Sequence, residues 1–323
     1  MNTQDTLNAL SAAEAFAGAL SFATHQGGLT SSTLSSGETV SLPSSGAGTL
    51  SVSDGSNQVD LGLPVGTSSN AGVEIAPSST LYTSSSHFSV AATITTRGVR
   101  EAVTLEDASA PTSYSFPVTL SPGEFLTSNP DGSVSVMQSF SGGSISVGEF
   151  LAPWAKDATG ALVPTSYSVQ GSTLVQHVET TPSTVFPVVA DPWITWGVGP
   201  YINLWGNFIK AAFPTYQDWV NGGVFWYLAC GAVSIMMNDY GVPGNWALVA
   251  GLICGFLGVA ANLTQAASIA QINRELVNID QSACFQYSVT AGVILERPLF
   301  YNPTGFPNSW TKVPNSNCAN EQG

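Results

Sequence analysis

Residues that could act as catalytic bases are few in this chain and lie far apart. The three histidines are His25, His87 and His177. Serine and aspartate are plentiful, so a Ser-His-Asp triad can be assembled on paper, but the G-x-S-x-G turn that exposes many hydrolase nucleophiles does not occur. Alternation along a strand at 173–179 leaves the exposure of His177 open. We therefore expect a non-enzymatic protein. An extracellular hydrolase ranks third, after the two hypotheses given at the end of this section.

The acidic residues indicate no metal site or cofactor. Asp131 lies in an NPDGS segment that is typical of a turn. Calcium-loop spacing of the DxDG type does not occur, and a pair of glycosidase carboxylates needs only to meet in space, so the sequence neither favours nor rejects one. Four other carboxylates fall at the ends of predicted strands, where we expect solvated loops: Glu106, Asp107, Asp157 and Asp191.

Two uncharged apolar segments, 222–237 and 245–262, flank a turn whose only charge is Asp239. They predict an antiparallel helical hairpin. Each segment is marginal against the roughly 20 apolar residues that span a bilayer, so core burial and membrane insertion both remain open. Small residues that let helices approach closely lie in both segments: Gly231, Gly251, Gly255 and Gly258.

The four cysteines, Cys230, Cys254, Cys284 and Cys318, lie in the C-terminal third, and none is in a CxxC motif. Disulfides are therefore expected, which indicates an oxidising compartment. Cys230 and Cys254 fall at similar distances from the hairpin turn. We predict that they pair with each other and that Cys284 pairs with Cys318.

Aromatic residues gather at the ends of the predicted hairpin. Packing of the domain joint is the simpler interpretation, and a position at a membrane–water boundary is the sharper one. The candidates for that boundary are Trp219, Trp226, Tyr227, Tyr240 and Trp246.

Composition excludes one class of partner. Only 9% of the 323 residues are charged, and 7 basic residues oppose 21 acidic ones, for a net charge of −14. A nucleic-acid-binding protein needs clustered lysine and arginine, and the basic residues here are scattered. Low charge with abundant serine, threonine and glycine is typical of an exported β-rich protein. We expect a secreted or cell-surface location, although the N-terminus lacks the basic residues of a secretory signal.

Period-2 alternation of apolar and polar residues predicts the central architecture. It occurs in short runs from residue 38 and strongly between 88 and 190, with turn signals between the runs. We divide the chain into a leader at 1–36, helical over Thr6–Ala23 or mobile, an antiparallel β-rich domain at 37–195, and a helical hairpin domain with a disulfide-tied tail at 196–323. The predicted fold class is thus an N-terminal β-sandwich-like domain followed by a small helical-hairpin domain with disulfides. A short helix is expected over Tyr201–Ala212.

Three stretches resemble secreted actinobacterial proteins of unassigned function: 98–120, 150–179 and FPVVADPWITWG at 186–197. The resemblance implies an extracytoplasmic protein with a β module, a PVVADP…W joint and a cysteine-containing hydrophobic helical C-terminus. It carries no catalytic residue. The leading hypothesis is a secreted protein whose β domain presents a membrane-active hairpin, of bacteriocin-like or pore-forming type. The alternative is a structural or adhesive cell-envelope protein whose helices are buried core.

Overall fold

The structure, a computed structural model, describes residues 2–17, 19–21, 23–26, 29–34, 37–53, 58–64, 66–96, 98–140, 142–196, 201–208, 210, 279–288 and 311–318. The chain divides into two compact units. The first comprises Met1–Val136 and Gly148–Gly197, and the second comprises Met137–Val147 and Val198–Gly323.

The first unit contains an eight-stranded antiparallel sheet in the order β1-β2-β3-β4-β5-β10-β16-β15. Alternation explains it, since Leu50 and Val52 are buried while Ser51 between them is not. The strand bounds are β1 (Thr24–Gln26), β2 (Leu29–Thr33), β3 (Thr39–Leu42), β4 (Thr49–Ser53), β5 (Gln58–Gly62), β10 (Ser113–Thr119), β15 (Thr165–Gln170) and β16 (Thr173–Val178).

A second layer of the first unit packs on this sheet. Its strands include β6 (Val73–Ala76), β7 (Ser79–Thr83), β8 (Phe88–Thr95), β9 (Gly98–Leu105), β14 (Trp154–Lys156), β17 (Val188–Asp191) and β18 (Trp193–Trp196). Strand β9 pairs with β8 on one side and with both β17 and β18 on the other. Gly98, the first residue of β9, lies so close to β18 that an added Cβ would be 2.1 Å from the carbonyl oxygen of Ile194. Close backbone approach of this kind requires glycine.

Helix α1 (Thr3–Ala12) covers the outer face of this second layer. The side chain of Asn2 caps the helix by accepting a hydrogen bond of 2.9 Å from the backbone N–H of Asp5. Leu10, fully buried, packs with Ala13 and Ala15 against four small or apolar side chains of the layer: Leu81, Ala91, Ala102 and Val189. Consequently all eight residues of β9 are buried, with α1 on one face and the sandwich interior on the other.

The chain crosses between the units within β12 (Val134–Phe140) and β13 (Gly143–Phe150), and β12 pairs with β13 and with β11 (Glu124–Ser128). In the second unit the first residues of β13 pair with β19 (Tyr201–Trp205), followed by β20 (Cys284–Ser288) and β21 (Thr311–Val313). A 3₁₀ turn at Asn315–Asn317 follows β21. Asn203 of β19 donates hydrogen bonds to the carbonyl oxygen of Asn317, at 2.9 Å, and to Ser144 Oγ, at 3.2 Å.

The alternating runs from residue 38 to residue 190 form strands, as predicted, and β15 and β16 among them form a hairpin. The predicted fold class is wrong in its second half. The described residues are mostly antiparallel β-sheet, and they contain no helical-hairpin domain. The segments 222–237 and 245–262 lie outside the described residues.

The helix expected over Tyr201–Ala212 is wrong in its first residues, because 201–205 form β19 between β13 and β20, and the helical residues begin at 206. Ladder hydrogen bonds from two neighbouring strands outweigh the local helical pattern. At the N-terminus, for which the sequence predicts a helix over Thr6–Ala23 or a mobile leader, the helix begins at Thr3 and is shorter. It ends at Ala12, and a turn follows in which Glu14 has φ 62.

Candidate functional site

A buried ion pair lies in the first unit, between β9 and β17. Arg100 is 4% exposed and Asp191 is 2% exposed, and Nε of Arg100 lies 2.8 Å from Oδ2 of Asp191. The guanidinium also lies over the ring of Trp193, 4.1 Å from its centroid. The pairing register brings the ring there, since Trp193 of β18 is opposite Arg100 of β9. The carboxylate of Asp191 and the ring of Trp193 therefore take the place of water around the guanidinium of Arg100.

The same guanidinium fastens the N-terminal segment to the sheet. Nη1 of Arg100 donates hydrogen bonds of 3.0 Å to the carbonyl oxygens of both Glu14 and Ala15. Glu14 has φ 62, in the left-handed region that L-residues rarely adopt, and this turn directs both carbonyls to one donor. Residues 3–17, the helix with its following turn, are called the N-terminal clasp below.

Burial shifts the pKa values of both ionised groups. Desolvation raises the pKa of Asp191 to about 7, against the opposing effects of the Arg100 charge and a hydrogen bond from Trp154. Desolvation also lowers the pKa of Arg100, opposed by Asp191. Each partner thus offsets part of the cost of burying the other.

Glu101 is the next residue of β9, and its side chain lies on the opposite face from that of Arg100. It is 0% exposed, and neither carboxyl oxygen has a hydrogen-bond partner among the described residues. Burial raises the pKa of this carboxyl well above its ordinary value. The strand thus carries two adjacent buried ionisable groups in contrasting surroundings.

Two histidines each make some of the contacts of a Ser-His-Asp triad. His87 Nδ1 lies 2.8 Å from Asp107 Oδ2, but no hydroxyl of the described residues is hydrogen-bonded to this ring. His177 lies between two hydroxyls, with Nδ1 3.0 Å from Ser113 Oγ and Nε2 2.9 Å from Ser168 Oγ, but within the described part of the chain no carboxylate is bonded to it. The hydrogen bonds of the described residues therefore do not join serine, histidine and aspartate around either imidazole.

The outer face of the eight-stranded sheet carries small polar side chains in register. Consecutive strand pairings place six of them in one line, here called the hydroxyl row: Thr24, Ser31, Ser41, Ser51, Asp60 and Thr119. All six are exposed or half-buried. At about 4.8 Å between neighbouring strands, the row extends over about 24 Å. Apart from Asp60, it is uncharged.

The structure places only one pair of the sequence-predicted site residues. Cys284 and Cys318 form the disulfide predicted for them, with a Cα–Cα distance of 5.7 Å. The remaining predicted residues lie outside the described part of the chain, where the second disulfide, the helix packing and the aromatic boundary were placed: Cys230, Cys254, Gly231, Gly251, Gly255, Gly258, Trp219, Trp226, Tyr227, Tyr240 and Trp246.

Sequence reasoning missed the ion pair. Asp107 and Asp157 lie in exposed loops, as expected, but the same expectation for Asp191 is wrong because its side chain is buried against Arg100. The available signal was the adjacent Arg100 and Glu101 inside a predicted strand. Alternation sends neighbouring side chains to opposite faces, so if the strand is central one of the two must enter the core.

Within the described residues, none of the helices has the length and apolar character needed to span a bilayer. The same residues contain no group of three or more His, Cys, Asp or Glu side chains suited to a metal ion. No family model matches the chain, and no curated protein or solved structure matches it.

Proposed function

We propose that the protein is an exported, non-enzymatic attachment protein that binds through the outer face of its eight-stranded sheet. The hydroxyl row is the observation that carries this proposal. It is a regular line of small polar groups, held in register by strand pairing, on a sheet whose other face packs into a sandwich core. This proposal develops the adhesive alternative from the sequence. The hairpin-presenting version is not carried forward because the fold class that it required is wrong.

The chemistry of the row favours a neutral, hydroxyl-rich polymer, such as a polysaccharide of a cell surface. Serine and threonine hydroxyls both donate and accept hydrogen bonds, as sugar hydroxyls do. Each such bond contributes little, and a long row allows many to form together. With only Asp60 charged in the row, the surface gives little electrostatic preference for anionic partners.

Two further observations support export. The Cys284–Cys318 disulfide is typical of proteins that fold in oxidising compartments. The low charged fraction of 9% and the resemblance to secreted actinobacterial proteins are consistent with the same location.

A pull-down experiment tests the proposal. The full chain is incubated with insoluble neutral polysaccharides, cellulose and chitin among them, and with washed bacterial cell walls. We expect retention on at least one polymer, and at least a tenfold loss of retention in the Ser41→Lys/Ser51→Lys variant. Two long charged side chains at the centre of the row would block close contact with an uncharged surface.

Ser109→Lys provides the matched control, because Ser109 is exposed in the turn after β9 and lies outside the eight-stranded sheet. This variant should bind like the wild type, and circular dichroism should show all three proteins equally folded. Retention on none of the polymers, or equal retention of the wild type and the double variant, would refute the assignment of this face.

A further inference from the structure

Glu101 occupies the middle of the central strand of the first unit's second layer. Its backbone is fully engaged, with Ala92 of β8 opposite it and its N–H donating a 2.9 Å hydrogen bond to the carbonyl oxygen of Pro192. Its side chain lies on the sandwich-interior face of β9 with Val99 and Val103, all 0% exposed. A carboxylate in such surroundings loses its hydration without replacement.

The titratable groups near this carboxyl do not compensate it. Tyr82 on β7 and Tyr167 on β15 both lie close enough that a charge on Glu101 raises their pKa values. Both phenol hydroxyls already donate elsewhere, Tyr82 to the carbonyl oxygen of Pro43 at 2.6 Å and Tyr167 to that of Asp191 at 3.2 Å.

The charged groups on neighbouring elements do not stabilise an ionised Glu101 either. Arg100 lies on the opposite face of β9 and pairs with Asp191. Asp191 acts on Tyr167, and a second negative charge nearby would only oppose ionisation of Glu101. Among the described residues, burial is the sole cause of the perturbation of Glu101.

We propose that Glu101 is a buried proton-binding site that links the integrity of the first unit's sandwich to pH. The sandwich holds its packed form while the carboxyl is neutral, and it loosens when the carboxyl ionises. An attachment protein with this device would be firmest in acidic surroundings.

The direction follows from the raised pKa of Glu101 in the folded state. The folded chain binds this proton more tightly than the unfolded chain, in which the pKa of a glutamate is about 4.3. The stabilising contribution is therefore present in full below that value and is lost as the pH rises through the folded pKa. Asp191, with its pKa raised to about 7, acts in the same direction between about pH 4 and pH 7.

The test is thermal and urea unfolding of the full chain from pH 4 to pH 9, followed by circular dichroism. The wild type should lose stability as the pH rises, with the unfolding constant growing by up to about tenfold per pH unit where one proton is released. Glu101→Gln, a neutral side chain of equal size, should remove the contribution of Glu101 to this loss from the pKa of an unfolded glutamate upward and leave the part due to Asp191. Glu179→Gln, which removes one charge from an exposed side chain outside the hydroxyl row, should keep the wild-type profile.

An identical pH profile for the wild type and Glu101→Gln would overturn the proposal. Infrared spectroscopy of the wild type gives a second measurement that does not depend on folding of the variant. The folded wild type should keep a carbonyl band of a protonated carboxylic acid at pH values at which exposed glutamates are ionised, and this band should be missing from Glu101→Gln. Identical carbonyl bands in the wild type and Glu101→Gln would also overturn the proposal.

Discussion

The two faces of β9, an outer one towards the N-terminal clasp and an inner one towards the sandwich interior, bury adjacent ionisable residues by different means. On the outer face Arg100 stays ionised among Asp191, the Trp193 ring and two carbonyl oxygens of the N-terminal clasp. On the inner face Glu101 has no hydrogen-bond partner among the described residues, and its pKa is raised by burial. A fold can therefore enclose an ionisable group either by supplying counter-charges or by neutralising the group with a proton.

The comparison also shows why the clasp packs where it does. Arginine has donors enough to serve several acceptors at once, whereas a protonated carboxyl donates only one hydrogen bond. The guanidinium of Arg100 therefore needs several hydrogen-bond acceptors on the outer face of β9, and the N-terminal clasp supplies two carbonyl oxygens. The inner face is lined by apolar side chains of the sandwich.

Removing the cation of the outer face should have the largest effect. Arg100→Met leaves the Asp191 carboxylate buried without its partner, and we expect the free energy of unfolding to fall by about 3–5 kcal/mol at pH 8. Urea denaturation followed by tryptophan fluorescence measures this loss.

Combining Arg100→Met with Asp191→Leu should restore much of that stability, because an apolar pair of similar volume carries no unpaired charge. A double variant as unstable as the sum of the two single variants would show that the pair acts independently of its charges.

The inner face should respond with the opposite sign. Glu101→Met removes a buried polar group that has no hydrogen-bond partner among the residues that the structure describes, so at pH 8 we expect a gain of about 1–3 kcal/mol in the free energy of unfolding. The gain should shrink at pH 4, where the wild-type carboxyl is neutral. Urea denaturation at the two pH values checks both statements, and a loss of stability at pH 8 would contradict the contrast between the faces.

The backbone of the clasp gives a smaller effect. Glu14 contributes its carbonyl to Arg100 and has φ 62, so Glu14→Gly should keep the hydrogen bond and gain up to about 1 kcal/mol by removing left-handed strain. Glu14→Val, β-branched and poorly suited to this backbone, should lower the thermal midpoint. If the glycine variant were the less stable of the two, the side chain of Glu14 would matter more than its carbonyl.

The smallest change is expected at the rim of the clasp. Nζ of Lys156 lies 3.4 Å from Oε2 of Glu14, whose side chain is 76% exposed. Exposed ion pairs of this kind add little to stability. Lys156→Ala should therefore leave the thermal midpoint within experimental error at low and at high salt. A salt-dependent loss would show that this pair, like the buried one, holds the clasp.

The sequence predicts strands well where one face is buried and the other is solvated. The Thr173–Val178 strand and its neighbour Thr165–Gln170 follow from alternation and from the turn signals between the alternating runs. Alternation also predicts β9 as a strand, but it does not predict the burial of both faces, which depends on α1, a segment about 90 residues earlier in the chain. The burial of Asp191 and the contacts of Glu14 are equally non-local, so spacing along the chain does not reveal them.

In the second unit, too, contacts between residues distant in sequence limit what the sequence predicts. The Cys284–Cys318 bond could be predicted from a small number of possible pairings. The first residues of the helix predicted over Tyr201–Ala212 form β19 instead, because they pair with β13 and β20, and pairing with segments distant in sequence does not show in the local pattern. Of the candidate binding surface, the alternating Ser and Thr positions were visible in the sequence, but their alignment into one row required the register.

The enclosed position of β9 also has a consequence in time. Its amides lie between strands on both edges, under α1 on one face and over apolar side chains on the other. Solvent reaches such amides only when the unit opens as a whole. In a hydrogen–deuterium exchange experiment the slowest amides of the first unit should therefore belong to β9, and their exchange would time the rarest motion of the unit.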